Sequence, residues 1–291
     1  MKQQKSILLV VLVLTIALAL AGCSTQGAAN QVVGGLAGEA CLVEQWSVEG
    51  TPDGIAVGPE GTVYVNINNN HRVVRYSPSG EVLAEWEQAA GVIETNGMVI
   101  DPDGAVFSVN NLWHVIKYSP AGEVLADWPI ECPACGVIET NGITVGPDGM
   151  VYVNINNNHR IVYFSAAGEY LGEWTYEGEA TGIAAGPEGT VYVNINNNHR
   201  VVQYSFRGEV LADWPIECQA CGVIETNGIT VGPDGTVYVN INNNHRVVQY
   251  SATGEYLREW AYEGDVAGLA AGPEGLLYLT NRTAERIEAW Q

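Results

Sequence analysis

The chain has 291 residues, with 33 acidic against 12 basic side chains and a net charge of −21. A field of that sign repels phosphate backbones and anionic headgroups, which argues against nucleic acid as a partner. With 47% hydrophobic and only 15% charged residues, the composition also excludes a disordered chain.

From the N-terminus, Lys2 and Lys5 precede an apolar run from Ile7 to Leu20, and Ala21, Gly22 and Cys23 follow. Basic start, apolar middle and small-residue end are the order of a secretory signal. The run is shorter than the ~20 residues a spanning helix needs. Leu20-Ala21-Gly22-Cys23 resembles the lipobox of bacterial lipoproteins. The resemblance implies lipidation of Cys23 with diacylglycerol, loss of residues 1–22, acylation of the new N-terminus, and a cell-envelope location outside the cytoplasm. The membrane is then met through the lipid alone. Loss of Lys2 and Lys5 would take the net charge from −21 to −23. Residues 23–39, rich in Gly, Ala, Gln and Ser, read as a flexible tether.

Residues 40–291 are repetitive. NINNNHR begins at Asn66, Asn154, Asn194 and Asn240, each time inside a longer unit typified by Gly54 to Trp86. The unit-ending tryptophans Trp86, Trp128, Trp174, Trp214 and Trp260 are spaced 42, 46, 40 and 46 residues apart, the length of a four-stranded propeller blade. Within the first unit, strands are predicted at Ile55–Val57, Thr62–Ile67, Arg72–Ser77 and Glu81–Trp86, separated by Gly-, Pro-, Asn- and Ser-rich turns. The last unit, Gly268 to Gln291, lacks an outer strand, and Cys41 to Trp46 matches the outer-strand pattern of Glu81 to Trp86. The predicted fold is therefore all-β: a six-bladed β-propeller with four antiparallel strands per blade, closed by the N-terminal strand. Closure removes bare strand edges. A monomer is expected.

Each unit resembles the NHL-repeat pattern of a Gly-Asp-Gly-type turn, a Tyr-Val strand, then Asn-His-Arg and a hydrophobic strand. Asn70, His71 and Arg72 fall on the name-giving positions. The acidic residue that precedes them in that family is Ile67 here, so Arg72 must find another partner.

In a propeller, the loops joining second to third strands share a face with those leading from an outer strand to the next inner strand. That face collects the Asn-rich loops and the segment GVIETNG, found at Gly91–Gly97, Gly136–Gly142 and Gly222–Gly228. Loops elaborated on a rigid scaffold commonly bind. Candidate ligand-binding residues are Asn68, Asn70, His71, Glu94, Asn96, Glu139, Asn141, His159, His199, Glu225, Asn227 and His245. The glutamates and asparagines offer oxygen ligands suited to Ca²⁺ or hydrogen bonds for a polar ligand; the alternative is turn capping with solvated carboxylates. His71, His159, His199 and His245 share one register, with His114 one place later, and local hydrogen bonding within each blade is their simpler role.

Cys132-Pro133-Ala134-Cys135 and Cys218-Gln219-Ala220-Cys221 sit in equivalent loops, and the aligned Glu87-Gln88-Ala89-Ala90 lacks both cysteines together. In an exported protein each pair is expected to close its own disulfide, since a shared zinc would need four sulfurs converging from different blades. Cys41 is left without an evident partner and reads as a buried thiol.

Two function classes remain. One is a binding propeller taking a protein, peptide or glycan. The other is a metal-assisted lyase, because the repeats also resemble those of the streptogramin lyase and of the peptidyl-hydroxyglycine lyase. The aromatic-Thr-Glu strand ends of the streptogramin lyase are replaced by Asn, as in Val153-Asn154; Leu279-Thr280-Asn281 comes nearest. Near-identity between blades favours binding, since catalysis needs different residues in different roles, and no catalytic residue is assigned.

Overall fold

The computed structural model of the protein describes residues 40–67, 71–88, 95–110 and 112–291. The expected lipidation site Cys23, the residues 1–39 that hold the signal and tether, and Asn68, Asn70 and Glu94 lie outside them, as does the side chain of Asn96.

The described residues form six four-stranded antiparallel sheets. Blade 1 comprises Pro52–Val57, Val63–Ile67, Arg72–Tyr76 and Val82–Glu87. Blades 2 to 5 repeat this order from the inner strands Thr95–Ile100, Thr140–Val145, Ala180–Ala185 and Thr226–Val231. Blade 6 is built from Val266–Ala271, Leu277–Asn281 and Arg286–Trp290, and its fourth strand is Leu42–Ser47 from the N-terminal end. Leu42 pairs with Trp290 and Ser47 with Arg286, while Cys41 and Gln291 exchange two backbone hydrogen bonds of 2.9 Å. The ring closes as the repeat arithmetic requires.

The second strand of each unit, VYVNI, alternates in sequence but is buried on both faces, because each blade is covered by a neighbour on either side. Val63, Val65 and Ile67 are fully buried, and so are Tyr64 and Asn66 on the opposite face. In blades 1 to 4 the repeat tryptophan at the end of the outer strand reaches across to the next blade: Trp86 meets Tyr118, Trp128 meets Phe164, Trp174 meets Tyr204 and Trp214 meets Tyr250.

Inner strands approach one another around the axis through glycines. A β-carbon on Gly228 would lie 2.7 Å from Leu269, and one on Gly268 would lie 2.9 Å from the Asp53 carbonyl of blade 1. Only a residue without a side chain admits so close an approach of backbones.

Candidate functional site

Asn156–Asn158 and Asn242–Asn244 form single 3-10 turns, each ended by a histidine in the left-handed region, His159 and His245, both at φ 51°. His71 and His199 adopt the same conformation. Histidine is among the few side-chain-bearing residues that visit this region readily. The corner backbone is used in full. The His159 N–H donates to the Asn156 carbonyl at 3.1 Å, and its own carbonyl accepts from Tyr176 N–H at 3.0 Å. The rings of His159 and His245 stand edge-on to Tyr176 and Tyr262, each at 5.9 Å. In blade 2, Trp113 takes the corner at φ 65°, and His114 occupies the arginine slot, with its Nδ1 2.6 Å from Asp127.

That slot answers the question posed by Ile67. Arg72 meets Glu85 at 2.5 Å, Arg160 meets Glu173 at 2.6 Å, Arg246 meets Glu259 at 3.2 Å, and Arg200 pairs with Asp213. The acid comes from the outer strand, thirteen residues later. In blade 6 the arrangement differs: Glu288, on the same strand as Arg286, binds Arg286 and Asn281.

The Asn-rich loops do lie against the segments that lead into the inner strands. Asn157 accepts from Glu139 N–H at 3.0 Å and donates to the Val137 carbonyl at 2.8 Å; Asn243 does the same for Glu225 and Val223, at 3.0 and 2.9 Å. The carboxylates of Glu139 and Glu225 are exposed. Glu179 and Asp265 occupy the same place one residue before the inner strands of blades 4 and 6, where Asn196 N–H and Arg282 N–H donate to their carbonyls at 2.8 Å. The motif GVIETNG therefore missed two members of this acidic register, because blades 4 and 6 reach it through shorter connections. Among the described residues, no three His, Cys, Asp or Glu side chains group as metal ligands.

Asn141 and Asn227 are half-buried and committed to a relay. Tyr176 donates to Asn154 at 2.7 Å, Asn154 donates to Asn141 at 2.5 Å, and Asn141 donates to the Ala180 carbonyl of the next blade at 2.7 Å. Tyr262, Asn240, Asn227 and the Val266 carbonyl repeat it in blade 5. Burial pushes the hydroxyls of Tyr176 and Tyr262 well above the usual range, so they act as donors. An amide has two donors and two acceptor lone pairs. Asn141 and Asn227 thus each keep one of each for the axial channel, a cavity of 140 Å³ lined by residues of all six inner strands, including Asn141, Thr181 and Asn227.

Reading the same register around the ring adds Asp53, one residue before Gly54. Asp53 pairs with Arg282 from blade 6, whose other side lies 3.8 Å from Asp265. This charged triplet was not anticipated; aligning Pro52-Asp53-Gly54 with Thr140-Asn141-Gly142 is the signal that finds it.

Both Cys-X-X-Cys pairs are local disulfides, Cys132–Cys135 and Cys218–Cys221, with Cα separations of 5.2 and 5.3 Å. Cys41 corrects the sequence reading: it is half-buried and disulfide-bonded, not a free thiol.

The SMP-30/gluconolactonase/LRE-like region matches residues 28–95 of this chain. No curated protein sequence matches it. Among solved structures, virginiamycin B lyase from Staphylococcus aureus superposes with a TM-score of 0.64 at 16% identity, over 87% of this chain and 99% of the lyase. A streptogramin B lyase gives 0.66 at 15% identity, over 87% of this chain and 97% of its own. A gluconolactonase from Xanthomonas campestris gives 0.66 at 15% identity, over 84% and 87%. By fold, the chain is a six-bladed β-propeller similar to the streptogramin lyases and to gluconolactonase, in keeping with the NHL-like pattern of its repeats.

Proposed function

We propose that the protein is an exported, lipid-anchored binding propeller whose loop face takes a protein, peptide or glycan ligand. The observation that carries this reading is the register of exposed carboxylates, Glu139, Glu179 and Glu225, continued by Asp265 beside Arg282, set around a channel mouth lined by the amides of Asn141 and Asn227. Exposed Leu112, Trp113, Val137 and Val223 stand on loops of the same face and supply apolar contact. With a net charge of −21, this rim favours basic partners, which it steers by long-range attraction. Arrays of basic, neutral and acidic peptides and of glycans, probed with the purified protein, should return basic peptides or neutral glycans. Trp113→Ala together with Glu139→Gln and Glu225→Gln should weaken that binding at least tenfold. Binding unchanged in this variant would overturn the reading.

Anchoring is tested separately. Mature protein should carry a diacylglyceryl thioether on Cys23, and Cys23→Ala should release it from membranes. A mature protein recovered with Cys23 carrying no lipid would overturn the anchor and leave the binding face untouched.

The alternative is a lyase or lactone hydrolase, supported by the similarity of fold; Asp53, beside the channel-lining Gly54 and paired with Arg282, is the carboxylate a proton transfer would use. It requires turnover of a streptogramin B or of a gluconolactone that is lost in Asp53→Asn.

A further inference from the structure

Blades 3, 4 and 5 share one construction but differ in what covers their arginine–carboxylate pair. The inner strands of blades 3 and 5 are reached through the ten-residue connections Ile130–Glu139 and Ile216–Glu225, each carrying a disulfide; blade 4 is reached through Tyr176–Glu179 alone. In blade 5, Gln219 N–H and Ala220 N–H donate to the Glu259 carboxylate at 2.9 and 3.2 Å, and Cys218 and Cys221 pack against a cluster holding Ile241, Val248 and Tyr250. In blade 3, Cys132 Sγ lies 3.4 Å from a Glu173 carboxylate oxygen, and both cysteines pack against a cluster holding Ile155, Val162 and Phe164.

The same positions in blade 4 are Ile195, Val202, Tyr204 and Asp213, and there they line an open groove of 370 Å³. The side chain of Asp213 is 31% exposed, against 17% for Glu173 and 10% for Glu259. The other short-connection blades differ at this place. Arg72 of blade 1 reaches back to the Glu49 carbonyl at 2.5 Å, and Glu288 of blade 6 is drawn in to Arg286 and Asn281. Blade 4 keeps the floor and the carboxylate without a disulfide loop over them.

We propose that this groove between blades 3 and 4 is a docking site for a disulfide-closed turn of a partner protein, with the chemistry of this chain's own Cys-X-X-Cys loops. Two consecutive backbone N–H groups of the turn bind the Asp213 carboxylate, and small apolar or sulfur-bearing side chains cover Ile195, Val202 and Tyr204. Backbone donors aimed at a charged acceptor give the stronger class of hydrogen bond, and the aliphatic and aromatic floor supplies burial. The site lies apart from the channel mouth and does not depend on the function proposed there.

The probe is the disulfide-closed, end-capped peptide spanning Glu217–Gly222, titrated into isotope-labelled protein and followed by amide shifts. Intramolecular loops act at effective concentrations of about a millimolar, so a dissociation constant on the order of a millimolar is expected in trans. Shifts should centre on Tyr176, Arg200 and Asp213. Asp213→Ala should weaken binding at least about tenfold, the worth of a hydrogen bond to a charged group. Grafting Ile216–Glu225 in place of Tyr176–Glu179 should abolish binding while the spectrum stays that of a folded propeller. No shifts at several times that concentration, shifts elsewhere, or binding that survives the graft would each overturn the proposal.

Discussion

Gly208 of blade 4 lies against Trp174 of blade 3 so closely that a β-carbon on the glycine would sit 2.3 Å from the indole Cγ. Gly208 also holds φ +86°, in a turn closed by its N–H donating to the Ser205 carbonyl at 2.9 Å. The same glycine-on-tryptophan contact recurs for Gly80 on Trp46, Gly122 on Trp86, Gly168 on Trp128 and Gly254 on Trp214, so each of blades 1 to 5 is located by the blade before it in the ring.

Gly208→Ala should therefore cost more than the ~1–2 kcal/mol of left-handed strain alone. Gly189→Ala is the control, because Gly189 has φ +76° with nothing within 4 Å of the added carbon. Urea unfolding of the two variants should separate them by at least about 1 kcal/mol, with Gly208→Ala the less stable. Equal losses would mean the indole simply moves aside.

Removing the Tyr176 hydroxyl leaves the Asn154 oxygen, in a fully buried side chain, without its donor. Tyr176→Phe should cost about 1–3 kcal/mol, and Tyr262→Phe the same in blade 5. The two relays share no residue, so the double variant should show the sum, measured by chemical denaturation.

Each local disulfide spans a sequence separation of three, and so short a loop constrains the unfolded chain by only about 2 kcal/mol. Cys132→Ala with Cys135→Ala should lower the melting temperature and leave the circular dichroism of the folded state intact. Peptide mapping without reduction should return Cys132–Cys135 and Cys218–Cys221; a Cys132–Cys218 link would contradict the structure.

Stability at high pH follows from buried tyrosines. Burial raises Tyr76 and Tyr204 from the usual 10 to about 12; Arg72 opposes it at Tyr76, while Glu85 there and Asp213 beside Tyr204 push the same way as burial. A group whose pKa is raised on folding gives stability that is complete below its unfolded value and is lost as pH climbs through the folded one. The melting temperature should thus hold up to pH 10 and fall between pH 10 and 12.

Much of the architecture was legible without coordinates, because it is periodic and local. Trp86, Trp128, Trp174, Trp214 and Trp260 mark the blades, the match of Cys41–Trp46 to Glu81–Trp86 foretells the closure, and a Cys-X-X-Cys spacing lets each pair close on itself. The histidine register was legible too, but not that its backbone, in the left-handed region, would do the structural work. Tertiary structure alone decided the rest, since it depends on which distant residues the ring brings together. Arg72 finds Glu85 across a strand pair, Asp53 meets Arg282 at 229 residues' separation, and the groove beside Asp213 exists because the connection before blade 4 is shorter than those before blades 3 and 5. A repeat specifies a blade through contacts within one unit, whereas a site at the axis or between blades is set by how units differ and meet, which no single unit encodes.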